Sequence, residues 1–132
     1  MDQGPLVVEE TDAGAELVRR FDRYNPVKAA FWVKGSDEGR WYLYIASDQF
    51  DERNLDVAYG EILRLADQMA SPYLDPFEVK LIAGSDPLAK AVSDIHERYP
   101  GTSAIRFGGK NLGGMSVEGA YIYPSSVSTL NP

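Results

Sequence analysis

Three groups of side chains in this 132-residue chain have the types and spacing to do chemistry. Glu78 and Lys80 alternate along a strand-like run, with Asp75 or Asp48 as an earlier acid. Two such carboxylates can hold Mg²⁺ while the ammonium steadies an attacking water or a phosphate charge. Ser85 and Asp86 stand before Pro87 at a helix entry, and Gly109 and Lys110 lie in a glycine-rich loop. Together they offer a hydroxyl, a carboxylate, backbone donors and a cation, the makings of a small anionic-ligand site. Trp32, Tyr42 and Tyr44, ringed by Lys28, Lys34 and Arg40, form an aromatic and basic group. Such a group suits a protein interface, or stacking on bases.

Glu78-Val79-Lys80 resembles the E-x-K element of the PD-(D/E)xK nuclease superfamily. The resemblance covers three residues and implies a Mg²⁺-dependent nuclease with Glu78 and Lys80 at its centre. The helical pattern from about Leu55 to Met69 departs from the side-by-side strands usual in that superfamily. The ordinary reading of Glu78 and Lys80 is an exposed charge alternation on a half-buried strand.

The other groups have ordinary readings too. Asp86 caps a helix, the glycines serve turns, and Lys110 is a solvated charge. The aromatic group packs beneath the first helix, whose Leu17, Phe21 and Tyr24 suit Trp32, Ala30 and Tyr44. His96, the single histidine, sits near a helix C-terminus, where the helix dipole favours it. Asp48, Asp51, Glu52, Asp56 and Glu61 lack a Ca²⁺-loop spacing and place favourable charge at a helix N-terminus. Neither G-x-S-x-G nor a phosphate-loop motif occurs.

Composition narrows the classes. A net charge of −7 opposes bulk electrostatic binding to nucleic acid or anionic lipid. Without cysteine there is no disulfide, no thiolate nucleophile and no Cys-ligated metal, and no cofactor or resident metal is implied. The opening MDQGPLVVEE has neither a basic n-region nor a long apolar run, so a cytoplasmic protein without a membrane anchor is expected.

The elements that must position these residues follow from periodicity. A loosely docked lead of ten residues precedes a helix capped at Thr11 or Asp12 and running to about Tyr24, with Gly14, Leu17, Val18, Phe21 and Tyr24 on one stripe. Residues 27–47 read as a β-hairpin about the Gly35 to Gly39 turn, with Lys34 opposite Arg40 and Trp32 opposite Tyr42. That register gathers Phe31, Val33, Trp41, Leu43 and Ile45 on a core face, and Trp32, Tyr42 and Tyr44 on the other. A helix with Leu55, Ala58, Tyr59, Ile62, Leu65, Ala66 and Met69 on its stripe follows, then a strand with Phe77, Val79, Leu81 and Ala83 facing one way. Asp86-Pro87 opens a helix with Leu88, Ala91, Val92, Ile95 and Tyr99. A strand over 102–107 completes a βαβ unit expected to be parallel, and a hairpin through Tyr123 ends the pattern.

The order α-β-β-α-β-α-β-β predicts an α/β (α+β mixed) domain over residues 1–124, with one mixed sheet of about five strands and helices mainly on one face. Residues 125–132 read as a flexible tail. If sheet order follows chain order, both crossover helices share a face; a reversal puts them on opposite faces. The functional expectation is a small, non-catalytic binding module for a protein partner or a second copy, self-associating through the aromatic sheet face. The nuclease and the anionic-ligand binder are the alternatives, and a nucleic-acid partner is disfavoured.

Overall fold

A computed structural model describes residues 4–125 of the chain; the tail over 126–132 lies outside them. The elements are α1 (Val8–Tyr24), β1 (Ala29–Gly35), β2 (Trp41–Ser47), α2 (Leu55–Met69), β3 (Val79–Ala83), α3 (Pro87–Arg98), β4 (Ile105–Phe107), β5 (Asn111–Leu112) and β6 (Met115–Ile122). A single 3₁₀ turn, Pro76–Glu78, leads into β3. The fold is α+β, with helices packed against one mixed sheet of order β3-β2-β1-β6-β4.

Each helix starts and stops for a local reason. Asp86 Oδ1 accepts from Leu88 N–H at 2.9 Å, and Pro87 takes the first helical position, as predicted for α3. In α1 the expected cap at Thr11 or Asp12 is superseded. The N-cap is Val7, four residues before Thr11, where Glu10 Oε1 accepts from Val7 N–H at 3.1 Å. Part of the lead is tied down as well, because Leu6 is buried and Trp41 Nε1 donates to the Gly4 carbonyl at 3.1 Å.

The sheet is covered on both sides. Leu17, Val18 and Phe21 of α1 and Ala58, Ile62 and Leu65 of α2 pack with Ala30, Trp32, Trp41, Leu43 and Ile45. On the opposite face Leu88, Ala89 and Val92 of α3 pack with Phe31, Val33, Tyr44, Ala46, Ala120 and Ile122. Two helices thus share one face, while α3 lies on the other.

Two topological expectations are corrected. β3 and β4 do not form a parallel pair: they are the two edges of the sheet, and the chain of antiparallel pairings from β2 through β1 and β6 to β4 runs β4 opposite to β3. The β6 strand, last in sequence, inserts between β1 and β4 and takes the place a parallel neighbour would have filled. The hairpin register is also one residue off. Lys34 pairs with Trp41, Trp32 with Leu43 and Phe31 with Tyr44. Gly39, at φ 63°, donates to the Gly35 carbonyl at 3.0 Å, and six residues, Gly35 to Arg40, lie between the innermost partners Lys34 and Trp41, one more than the five expected. A single-residue slip moves a whole strand's side chains to the other face.

Candidate functional site

The slip dissolves the aromatic cluster. Trp32 lies on the α1 face, 3% exposed, with its indole N–H donating to Tyr123 Oη at 2.9 Å. Tyr42 and Tyr44 lie on the α3 face, and Tyr44 is buried with its ring stacked on Phe31 at a centroid distance of 5.6 Å. Trp32 and Tyr44 are therefore core residues, Tyr42 is half-buried, and the three rings expected on one face for self-association do not share a face. Burial raises the Tyr44 hydroxyl above its ordinary pKa. The basic ring is dispersed too. Lys28 pairs with Asp48 at 3.5 Å, Lys34 with Glu118 at 3.5 Å and Arg40 with Glu78 at 3.8 Å.

The nuclease residues do not converge. Lys80 lies over the Tyr42 ring at 4.1 Å and pairs with Glu38 at 3.7 Å. Glu78, in the 3₁₀ turn rather than on β3, faces Arg40, Asp75 and Glu10 of α1. Burial raises its carboxyl pKa first, then the charges of Asp75 and Glu10, against a lowering by Arg40. Asp48 follows the carboxyl end of β2, whereas Glu78 precedes the amino end of the parallel β3, so the length of β3 separates them. At the usual rise that is about 16 Å. Among the described residues no group of three or more His, Asp or Glu side chains is placed to hold a metal.

The anionic-ligand set is also split. Asp86 is occupied as the α3 cap, and Ser85 is exposed beside it. The β5–β6 hairpin curls over the α3 side, but it is Gly113 that reaches the first turn of α3, within 3 Å of Pro87 and Leu88 for any added Cβ. Gly109 lies against the Phe107 ring and Lys110 is exposed, its carbonyl accepting from Val117 N–H at 2.9 Å. His96 Nε2 lies 2.9 Å from the Tyr123 carbonyl, a structural contact.

What the molecule does present is an apolar strip beside the free edge of β3. Phe77, expected on the core side of a strand, is 81% exposed because the 3₁₀ turn removes it from the strand alternation. Leu63 of α2, exposed as well, lines the same cavity as Phe77. Tyr59, Leu63, Pro76, Phe77, Val79 and the stem of Lys80 line a cavity of about 410 Å³. Nearer the carboxyl end of β3, Phe50, Leu55, Leu81 and Ala83 with Asp51 and Glu52 line a second of about 220 Å³. Between them the Tyr59 hydroxyl accepts from the Leu81 N–H at 2.9 Å. The sequence held one signal for this strip: Leu63 falls off the apolar stripe of α2.

No protein-family model, curated protein or solved structure matches the chain. Function must be read from the surface alone. No helix among the described residues is long and apolar enough to cross a membrane.

Proposed function

We propose that this chain is a non-catalytic interaction module that engages another protein through the apolar strip between α2 and β3. The observation that carries the reading is Phe77, a phenylalanine held 81% exposed at the mouth of a cavity of about 410 Å³. Leaving such a ring in water forgoes about 2 kcal/mol of burial. Exposed apolar side chains that adjoin one another mark contact surfaces, whereas isolated ones are ordinary. Here Phe77 adjoins Leu63, Tyr59 and Pro76 around one cavity. In support, the candidate side chains make local contacts: Asp86 caps α3, Lys80 covers Tyr42, and Glu78 pairs with Arg40.

The test is to pan a displayed random-peptide library against the protein, with counter-selection on a Leu63→Asp, Phe77→Ser variant. Recovery of peptides that bind the protein and lose at least tenfold in affinity for the variant supports the reading. Failure to enrich any sequence over the counter-selected variant overturns it.

A further inference from the structure

We infer that the outer edge of β3 takes up an extended segment of a basic partner by strand addition, an inference that rests on the interaction reading and specifies how the partner lies. β3 ends the sheet and pairs on one side with β2. Gly84 N–H donates inward to the Ser47 carbonyl at 3.1 Å, so by strand alternation Lys80 and Ile82 also point their backbone groups inward. Val79, Leu81 and Ala83 then point theirs outward. Val79 N–H is taken by the Pro76 carbonyl and the Ala83 carbonyl by Asp86 N–H. The carbonyls of Val79 and Leu81 and the N–H of Ala83 have no bond to another described residue, and the Leu81 N–H is held by a side chain that can swing away, Tyr59. That is a row of ladder groups guarded at its centre, the usual way of managing an exposed edge.

The flanks suit an added strand. The two cavities beside the edge lie toward opposite ends of β3, where alternate side chains of one face of an incoming strand would enter. Main-chain bonds would supply affinity, and the cavities would select apolar residues.

Charge selects the occupant. Asp51 and Glu52 line the cavity at one end, Asp67 lies beside Leu63 and Pro76 at the other, and Asp75 precedes Phe77. Arg53 is an exposed cation in the same turn as Asp51, while Lys80 is paired with Glu38. An acidic rim on a chain of net charge −7 favours a segment with Lys or Arg flanking alternating apolar residues, and it repels a second copy that brings the same edge.

The experiment titrates the ¹⁵N-labelled protein with three heptapeptides of alternating Val and Thr: one with Lys at both ends, one with Glu at both ends, and the Lys form N-methylated on alternate amides. Strand addition predicts that the Lys form shifts the Leu81 and Ala83 amides and leaves Ile105 of the other edge unmoved. The Glu form should bind at least tenfold more weakly, and the N-methylated form should not bind in the register that blocks the ladder. Ala83→Pro, which removes the outward donor and leaves the cavity around Phe77 intact, should cost about tenfold; Tyr59→Phe, which frees the Leu81 N–H, should tighten binding roughly fivefold. Binding that falls with Phe77→Ser but ignores N-methylation and Ala83→Pro overturns strand addition and leaves the interaction reading standing. No binding of the Lys peptide overturns strand addition, while the peptide panning separately decides the interaction reading. A concentration-dependent rise in mass that shifts the same amides without peptide makes a second copy the occupant and overturns the basic partner. N-methylation acts on the peptide alone, so the test survives if Ala83→Pro does not fold.

Discussion

The indole N–H of Trp32 donates to the hydroxyl of Tyr123 at 2.9 Å, and that hydroxyl donates onward to the Thr11 carbonyl at 2.6 Å. One buried oxygen thus ties β1, the segment after β6 and the first helix together, residues 91 positions apart in the first bond and 112 in the second. Burial pushes the Tyr123 hydroxyl far above its ordinary pKa, so it stays a donor at any working pH. Tyr123→Phe leaves the Trp32 N–H and the Thr11 carbonyl short of a partner in the core. A loss of about 1 to 3 kcal/mol is expected in urea unfolding, with an unchanged m-value.

Gly14 sits beneath the same bond. A Cβ added there would lie 2.5 Å from Tyr123 Oη and 3.0 Å from Trp32 Nε1, neither of which can retreat without breaking the bond. Gly14→Ala ordinarily gains about 1 kcal/mol in a helix interior. Here the overlap reverses the sign, and a lowered thermal midpoint is expected.

Ser47 is fully buried at the end of β2, where its hydroxyl donates to Asn25 Oδ1 at 2.8 Å and accepts from Gln49 N–H at 3.1 Å. Asn25 is the C-terminal cap of α1, so this hydroxyl joins the helix end to the strand end. Ser47→Ala should cost about 1 to 3 kcal/mol, measured by chemical denaturation, while Ser85→Ala, at an exposed loop position, should cost less than about 0.5 kcal/mol.

Glu78 gives a pH signature. Its carboxyl pKa is raised in the folded protein, by burial first and then by Asp75 and Glu10. The folded state therefore holds the proton more tightly than the unfolded chain does. The stabilising contribution is present below the ordinary glutamate range and is lost as pH rises through the raised value. Glu78→Gln should thus be more stable than the parent at neutral pH, by less than about 1 kcal/mol because Arg40 offsets part of the penalty, and the gap should close in acid. Thermal melts from acid to neutral pH will read the sign. A loss of stability at neutral pH would mean that the Arg40 pair outweighs the burial.

Phe77 and Leu63 separate surface from scaffold. Both side chains are exposed, so Phe77→Ser and Leu63→Ser should move stability by less than about 0.5 kcal/mol. A larger loss would assign them to the core. Retention of the melting midpoint together with loss of peptide binding is the expected pair of results.

Much of the local structure was legible in the sequence because it rests on short-range chemistry. Asp86-Pro87 opens α3 where the cap chemistry demands, and the 3.6-residue stripe of α2 is borne out by buried Ala58, Ile62, Leu65 and Ala66. The start of the first helix is not legible in the sequence, since a valine at its N-cap carries no capping signature and the bond that starts it comes from Glu10. For the candidate site little was legible. Glu78, Lys80, Ser85 and Asp86 have the right types, but their partners come from Arg40, Glu38, Tyr42 and the α3 amides, which no spacing along the chain reveals.

The sequence by itself determined the alternation of helices and strands, the mixed α+β class and the membership of most of the core, because periodicity and turn residues act over a few positions. Only the tertiary structure decided the hairpin register, the order of the strands and the exposure of Phe77. β1 and β2 lie inside the sheet with helices over both faces, so each is apolar on both sides, and such a strand carries no alternation to distinguish one register from the next. The six-residue connection from Gly35 to Arg40 set the register, sent Trp32 to one face and Tyr44 to the other, and so divided the aromatic group that the sequence had put forward. β6, inserting beside β1, made β3 and β4 the two edges of the sheet. That is a long-range choice, and it left the apolar strip beside β3 uncovered.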